Sequence, residues 1–214
     1  MKLRPNYKYL FVKKINLKNS LVLEVGIGNN SPKIFKHYYP DTIYHGLDKD
    51  LSYNLDQESI RLIDKFYKLN LEEDSLNIID NDIYDFVIIA HVIEHIMNGE
   101  TVINDLSKKI KSTGYFYIEY PTKNSKYFPS MKGTLNFFDD ATHKRFYNIS
   151  DIISILQANG FKIVRSGVKR DFLRILGIPY MIIKSLITLG YVRGSVFWDI
   201  LGFAEYILAQ KIEA

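Results

Sequence analysis

Three side chains that can bind a metal ion or transfer a proton follow one strongly apolar run of the chain. His91, Glu94 and His95 are spaced at i, i+3 and i+4, so in a helix all three would project from one face. Another histidine, His143, comes later in a weakly patterned stretch. Imidazoles with a carboxylate suit Zn²⁺ or another transition metal better than Mg²⁺. They also suit acid–base chemistry, because the pKa of histidine lies near neutral pH.

A glycine turn with an acidic partner forms a second candidate site. An apolar run leads into Gly26 and Gly28, and Ser31 is the predicted N-cap of a following helix. Glycines let a backbone turn sharply and approach a ligand closely. Asp48 ends the next strand-like run, where a carboxylate can accept hydrogen bonds from both hydroxyls of a ribose. A dinucleotide site would need glycine in place of Ser31, so the pattern predicts another adenosine-type ligand.

The elements that position these residues alternate between strand-like and helix-like patterns. Strands are predicted at 21–25, 42–47, 66–69, 84–90, 115–120, 161–164 and 203–211, and helices from 31, at 59–64, at 101–111 and at 151–159. Such alternation predicts an α/β fold with a doubly wound, mostly parallel, Rossmann-like sheet of seven strands. The carboxyl ends of parallel strands meet at one edge, so the glycine turn, Asp48 and the histidines are expected there.

One domain is predicted over residues 1–214, with a cofactor-binding core at 20–120 and a substrate loop or lid at 121–149. An apolar helical insertion is predicted at 171–200, before the last strand. Its most apolar part, 172–189, is interrupted by basic residues and a proline, so it is not predicted to span a membrane. Two interpretations stay open for this part. Its helices cover the sheet edge or a dimer partner, or they form a peripheral membrane patch for a lipid-linked acceptor.

The order of these motifs resembles that of class I S-adenosylmethionine-dependent methyltransferases of the bacterial small-molecule and glycan type. Glu24, Gly26 and Gly28 are similar to the first motif of that family, with Asn30 in place of its third glycine; asparagine tolerates a positive φ. The resemblance implies a last strand that is antiparallel and inserted between its two predecessors. It also implies S-adenosyl-L-methionine as cofactor, bound by Glu24, Gly26, Gly28, Asp48, Asn70, Leu71 and Ala90.

The histidine segment resembles the E-x-x-E-H segment of metal-dependent O-methyltransferases, with histidine in place of the first glutamate. That likeness implies a divalent metal held by His91, Glu94, His95 and His143. Many bacterial small-molecule methyltransferases carry the segment without a metal. In that case His143 would be a general base, His95 would share its pocket, and Arg145 would orient the acceptor. In a third interpretation these residues only anchor the lid.

Composition limits the partners. Of the 214 residues, 47% are hydrophobic and 24% charged, with a net charge of +4 and no concentrated basic run, so a nucleic-acid partner is not favoured. The absence of cysteine and of a secretory signal favours the cytoplasm. The predicted function is methyl transfer to a hydroxyl of a small molecule, sugar or glycan precursor. The alternatives are an N-methyltransferase, an RNA 2′-O-methyltransferase and an inactive, methyltransferase-like binding module. A homodimer is a further expectation.

Overall fold

Seven strands form one sheet in the computed structural model, which describes residues 7–15, 18–51 and 55–213. In chain order they are β1 (Leu21–Val25), β2 (Ile43–Asp48), β3 (Lys65–Lys68), β4 (Tyr84–Ala90), β5 (Ile110–Pro121), β6 (Phe161–Val168) and β7 (Ala204–Lys211). Their spatial order is β3-β2-β1-β4-β5-β7-β6. The first five strands pair in parallel, and β7 lies antiparallel between β5 and β6. The predicted fold class, including the inserted antiparallel strand, is confirmed.

Helices cover the sheet or follow its strands. They are α1 (Ser31–Tyr38), α2 (Gln57–Arg61), α3 (Gly99–Lys108), α4 (Ile149–Ala158), α5 (Phe172–Leu176), α6 (Ile178–Leu189) and α7 (Trp198–Leu201). Two predicted starts are wrong. Asn30, not Ser31, is the N-cap of α1. The helix predicted at 59–64 begins at Gln57, because the side chain of Asp56 accepts the backbone N–H of Ser59 at 2.7 Å and caps it there.

The central strand β4 explains why this part of the sequence is continuously apolar. Val87 and Ile89 belong to the core cluster under α3 and α4, while Phe86 and Ile88 belong to the cluster under α1. All four side chains are fully buried. Side chains alternate across a strand, so a strand with helices on both faces needs apolar residues at every position.

The loop between β5 and α4, which is the predicted lid, is organised by one aspartate. The carboxylate of Asp139 accepts the backbone N–H groups of Met131, Leu135 and Asn136 at 2.8–3.0 Å. Burial would raise the pKa of Asp139, but these bonds and the hydroxyl of Ser130 lower it to about 2. The stretch that has no periodicity in the sequence is therefore held by side-chain bonds to the backbone.

The insertion before β7 contains α5, α6 and α7, so its predicted helical character is confirmed. The interpretation that its apolar side chains cover the sheet edge is wrong, because most of them stay exposed. The exposed apolar residues of α5 and α6 are Phe172, Leu173, Leu176, Tyr180, Ile183, Leu186, Ile187 and Leu189. Within the described residues, no helix has the length and apolarity needed to cross a membrane.

Candidate active site

The glycine turn and Asp48 meet at the carboxyl edge of the sheet, as the sequence predicts. Val25 pairs with Leu47 on one side and with Ile89 on the other, so the next residues, Gly26, Asp48 and Ala90, lie next to one another. The backbone N–H of Ile27 donates to Asp48 Oδ2 at 3.1 Å. Gly26 has a φ of +79°, a conformation that L side chains rarely adopt.

Asn30 takes the place of a third glycine and uses the same conformational freedom. Its φ is +55°, which asparagine tolerates better than most residues. Its side-chain oxygen accepts the backbone N–H of Asp56 at 2.7 Å and the hydroxyl of Ser59 at 3.0 Å. The residue therefore closes the turn after β1 and also links it to the start of α2.

Glu24 lies fully buried beneath the turn, with protein donors around its carboxylate. The hydroxyls of Tyr9 and Tyr44 each donate to it at 2.9 Å, and Lys8 forms an ion pair with it. A buried carboxylate needs such partners, and the sequence alone did not identify them. The structure thus gives Glu24 a place in supporting the turn, while its contact with a cofactor stays a prediction.

Two further predicted cofactor-binding residues, Asn70 and Leu71, lie after β3 at the same edge. Asn70 Oδ1 accepts the N–H of Glu72 at 3.2 Å, and its side-chain nitrogen has no hydrogen bond among the described residues. Leu71 is nearly buried, and its carbonyl oxygen accepts from the Asn98 amide at 3.1 Å. An apolar wall beside a polar amide suits an adenine ring.

His91 does not share a helical face with Glu94 and His95, so that part of the prediction is wrong. Only Ile93–His95 forms a single 3₁₀ turn, and His91 precedes it with a φ of +57°. Its Nδ1 is 3.1 Å from Glu94 Oε1, and its Nε2 is 3.0 Å from Glu119 Oε1. Burial would lower the pKa of His91, but the hydrogen bonds and charges of Glu119 and Glu94 raise it to about 9. Both ring nitrogens of His91 therefore face carboxylates, and His91 is not among the three residues whose ligand atoms converge.

Glu119 completes this buried ionic group and was not identified from the sequence. It accepts from Lys169 at 2.6 Å and from the hydroxyl of Tyr117 at 2.5 Å, in addition to His91. Burial would raise the pKa of Glu119, but Lys169 and His91 lower it well below its usual range. The ring of Trp198 lies 5.2 Å from that of His91 and covers it. The sign of this role in the sequence is a glutamate within an otherwise apolar strand.

Glu94, His95 and His143 converge, although His143 is distant in sequence. One ligand atom from each lies within 4.8 Å of the others. Thr142 Oγ1 donates to Asp140 at 2.5 Å and accepts from His95 Nδ1 at 2.9 Å. The Nδ1 of His143 donates to the Phe137 carbonyl at 2.6 Å. In the neutral form of either ring, Nε2 therefore carries the lone pair that a metal ligand needs.

The acidic member of this cluster is incompletely bonded. The Oε2 atom of Glu94 is buried and has no hydrogen-bond partner among the described residues. Burial lowers the pKa of His143, despite the opposing bond to Phe137 and the charge of Glu94. The cluster thus combines a buried carboxylate oxygen with two imidazoles, and these groups are suitable ligands for a transition metal.

Arg145 braces the lid, which does not support its predicted role in orienting an acceptor. Its guanidinium binds both carboxylate oxygens of Glu100, at 2.8 and 2.5 Å, and donates to the Met97 carbonyl at 2.7 Å. It also lies over the ring of Tyr147. A bidentate pair of this kind uses the planar fork of arginine.

Comparison with known proteins identifies the family. A family model described as a methyltransferase domain matches residues 3–166. The chain belongs to the methyltransferase domain family. No protein of curated function matches this methyltransferase in sequence.

Solved structures share the fold of this methyltransferase. A Listeria monocytogenes S-adenosylmethionine-dependent methyltransferase gives a TM-score of 0.63 at 15% identity, over 96% of this chain and 97% of that one. An Archaeoglobus fulgidus methyltransferase gives a TM-score of 0.58 at 18% identity, over 95% of this chain and 92% of that one. Phosphoethanolamine N-methyltransferase 2 of Haemonchus contortus gives 0.66 at 13% identity over 96% of this chain, which spans 52% of that protein. This methyltransferase therefore has the fold of S-adenosylmethionine-dependent methyltransferases.

Replacing Asp48 by alanine is expected to weaken S-adenosylmethionine binding by about tenfold to a hundredfold, because charge-assisted bonds to ribose hydroxyls would be lost. Titration calorimetry measures the affinity. Asp41→Ala, which removes an exposed carboxylate before β2, is the control and should bind normally. An unchanged affinity in Asp48→Ala would show that this carboxylate does not contact the cofactor.

Proposed function

We propose that this methyltransferase methylates a hydroxyl group of a small molecule, sugar or glycan precursor, assisted by a divalent transition metal at Glu94, His95 and His143. The observation that carries the proposal is the buried Glu94 Oε2, which has no partner among the described residues and belongs to a cluster with two imidazoles. An acceptor hydroxyl must lose its proton for the reaction to finish, whereas a neutral amine attacks without a base.

The position of the cluster supports a direct role in the reaction. Glu94 and His95 follow the carboxyl end of β4, close to the edge where Gly26, Asp48 and Ala90 lie next to one another. S-adenosylmethionine supplies, when bound there, a methyl group already activated on a sulfonium. The protein then has to hold the acceptor oxygen in line and exclude water.

The residues present fit a metal ion. His95 and His143 are fixed by bonds from Nδ1 to Thr142 and to the Phe137 carbonyl, an arrangement that orients ligating histidines. A divalent ion held by this set would supply Lewis-acid activation of the acceptor hydroxyl. Burial lowers the pKa of His143 and so favours the neutral ring that both metal binding and proton acceptance require.

The metal is tested with Glu94→Gln and His143→Ala. Both variants are expected to lose bound metal and to reduce kcat by about a hundredfold with little change in cofactor affinity. Elemental analysis of protein purified without an affinity tag gives the metal content, and release of S-adenosylhomocysteine gives the rate. His37→Ala, which alters an exposed histidine of α1, should retain both. A metal-free wild type that keeps full activity in chelator would refute the metal.

The acceptor class is tested with a panel of free sugars, nucleotide sugars, lipid-linked glycans and primary amines. We expect turnover on hydroxyl acceptors and methyl ethers as products, identified by mass spectrometry of the methylated position. Methylation confined to amines would instead assign N-methylation and overturn the proposed acceptor. The solved relatives include a phosphoethanolamine N-methyltransferase and a carbon methyltransferase, so the panel must include such acceptors.

A further inference from the structure

The two insertion helices α5 and α6 expose apolar side chains, which form a stripe along α6. Leu176 ends α5, and Tyr180, Ile183 and Ile187 follow in α6 at intervals of three and four residues, which places these three on one side of that helix. The exposed fractions of all four residues, in chain order, are 62%, 67%, 58% and 79%. Within α6 the structure buries only Ser185. An apolar face of this extent marks an interaction surface.

Two unpaired basic side chains accompany the same stripe. Residues 169–193 contain five lysines or arginines and one acid, but Lys169 pairs with Glu119 and Arg174 pairs with Asp199. No aspartate or glutamate occurs at 172–198. Lys184 and Arg193 are exposed and form no ion pair among the described residues. Exposed isoleucines and leucines between unpaired basic groups are the features of a helix that lies at an anionic lipid interface.

We infer that α5 and α6 form a docking surface for an anionic lipid bilayer. The stripe enters the boundary between headgroups and acyl chains, and Lys184 and Arg193 contact the headgroups. A second copy of the chain is a poorer occupant. Docking through this same face would bring the basic groups of both copies together, with no carboxylate at 172–198 to pair with them.

Contacts connect this surface to the active site. The hydroxyl of Ser185 in α6 donates to the Tyr191 carbonyl at 2.8 Å, and the N–H of Gly194 donates to the lid carbonyl of Lys132 at 2.8 Å. Trp198 then donates to the lid carbonyl of Thr134 at 2.5 Å, and its ring covers His91. Docking would therefore hold the lid and the site near the bilayer. Together with the proposed hydroxyl specificity, on which this step rests, it favours a glycan acceptor with a lipid tail.

Vesicle flotation tests the docking surface. The wild type should bind vesicles of equal parts phosphatidylcholine and phosphatidylglycerol much more tightly than vesicles of phosphatidylcholine alone. Ile183→Ser with Ile187→Ser, and separately Lys184→Glu, should each weaken binding to the anionic vesicles by at least about tenfold. Ile78→Ser, which alters a similarly exposed isoleucine outside the insertion (62%), is the matched control and should bind like the wild type.

Two further measurements make the outcome decisive. Calorimetry with S-adenosylmethionine should show equal affinity in all variants, which establishes that each is folded. Light scattering should give the same oligomeric state for the wild type and for Ile183→Ser/Ile187→Ser. The inference would be overturned if the wild type bound anionic vesicles no better than neutral ones. It would also be overturned if Ile183→Ser/Ile187→Ser bound the anionic vesicles as well as the wild type does. A wild-type dimer that this double variant dissociates would assign the stripe to a second copy instead. None of these readouts depends on the metal or the acceptor, so failure here is distinct from failure of the proposed function.

Discussion

Replacing Gly26 by alanine is expected to destabilise the methyltransferase by about 3 kcal/mol and to abolish measurable cofactor binding. The φ of +79° would cost an alanine about 1–2 kcal/mol. An added Cβ would lie 2.3 Å from Cγ2 of Val92, and relieving that overlap costs about 1–3 kcal/mol more. Val92 belongs to the segment that follows β4, so the strain would also displace the residues before the Glu94 cluster.

The two costs can be separated by urea unfolding. Gly160→Ala is the matched control, because Gly160 has a φ of +77° but nothing lies within 4 Å of an added Cβ. Its free energy of unfolding should fall only by the cost of the backbone conformation. Adding Val92→Ala to Gly26→Ala should restore the stability lost to the overlap but not the stability lost to the backbone conformation. Equal losses in Gly26→Ala and Gly160→Ala would show that Val92 moves aside freely.

The free energy of unfolding of the enzyme is expected to fall by roughly 3 kcal/mol as the pH rises from about 6.5 to above about 9, because His91 loses its proton. The pKa of this ring rises from 6.5 to about 9 in the folded protein because, despite burial, Glu119 and Glu94 both bind the charged form. A group whose pKa is raised by folding stabilises the fold fully at pH values below its pKa in the unfolded chain. That stabilisation is lost as the pH rises through its pKa in the folded protein. Once neutral, the ring can donate to only one of the two carboxylates.

The difference between wild type and His91→Gln isolates this group from other titrations. Chemical unfolding at a series of pH values should show the alkaline decrease in the wild type and a much flatter profile in His91→Gln. His45→Gln is the control. Burial lowers the pKa of His45, further helped by the charge of Lys65, so its removal should leave the alkaline decrease in place. Parallel profiles for wild type and His91→Gln would contradict the raised pKa.

The fold and the cofactor edge could be predicted because both depend on local pattern. Alternating strands and helices define the sheet, and parallel register alone then brings Gly26 and Asp48 together. The positive φ of Asn30 was likewise predictable from residue type. The family resemblance adds the antiparallel place of β7, which the pattern does not contain.

The catalytic edge could be predicted only in part, because its geometry depends on distant contacts. The spacing of His91, Glu94 and His95 indicates a shared helical face, but the left-handed turn at His91 places that ring against Glu119. Likewise, the pairing of Arg145 with Glu100 joins the lid to α3, and neither residue type reveals its partner.

The place of β7 has a consequence for biosynthesis. It is the last of the seven strands in chain order, yet it lies inside the sheet, with Tyr115 of β5 opposite Gln210. While the ribosome is still making residues 204–211, β5 therefore has a bare apolar edge that other chains can join. The five strands β1 to β5 can pair during translation, but β6 can join the sheet only after β7 has been made. We expect newly made chains to need chaperone protection during this interval.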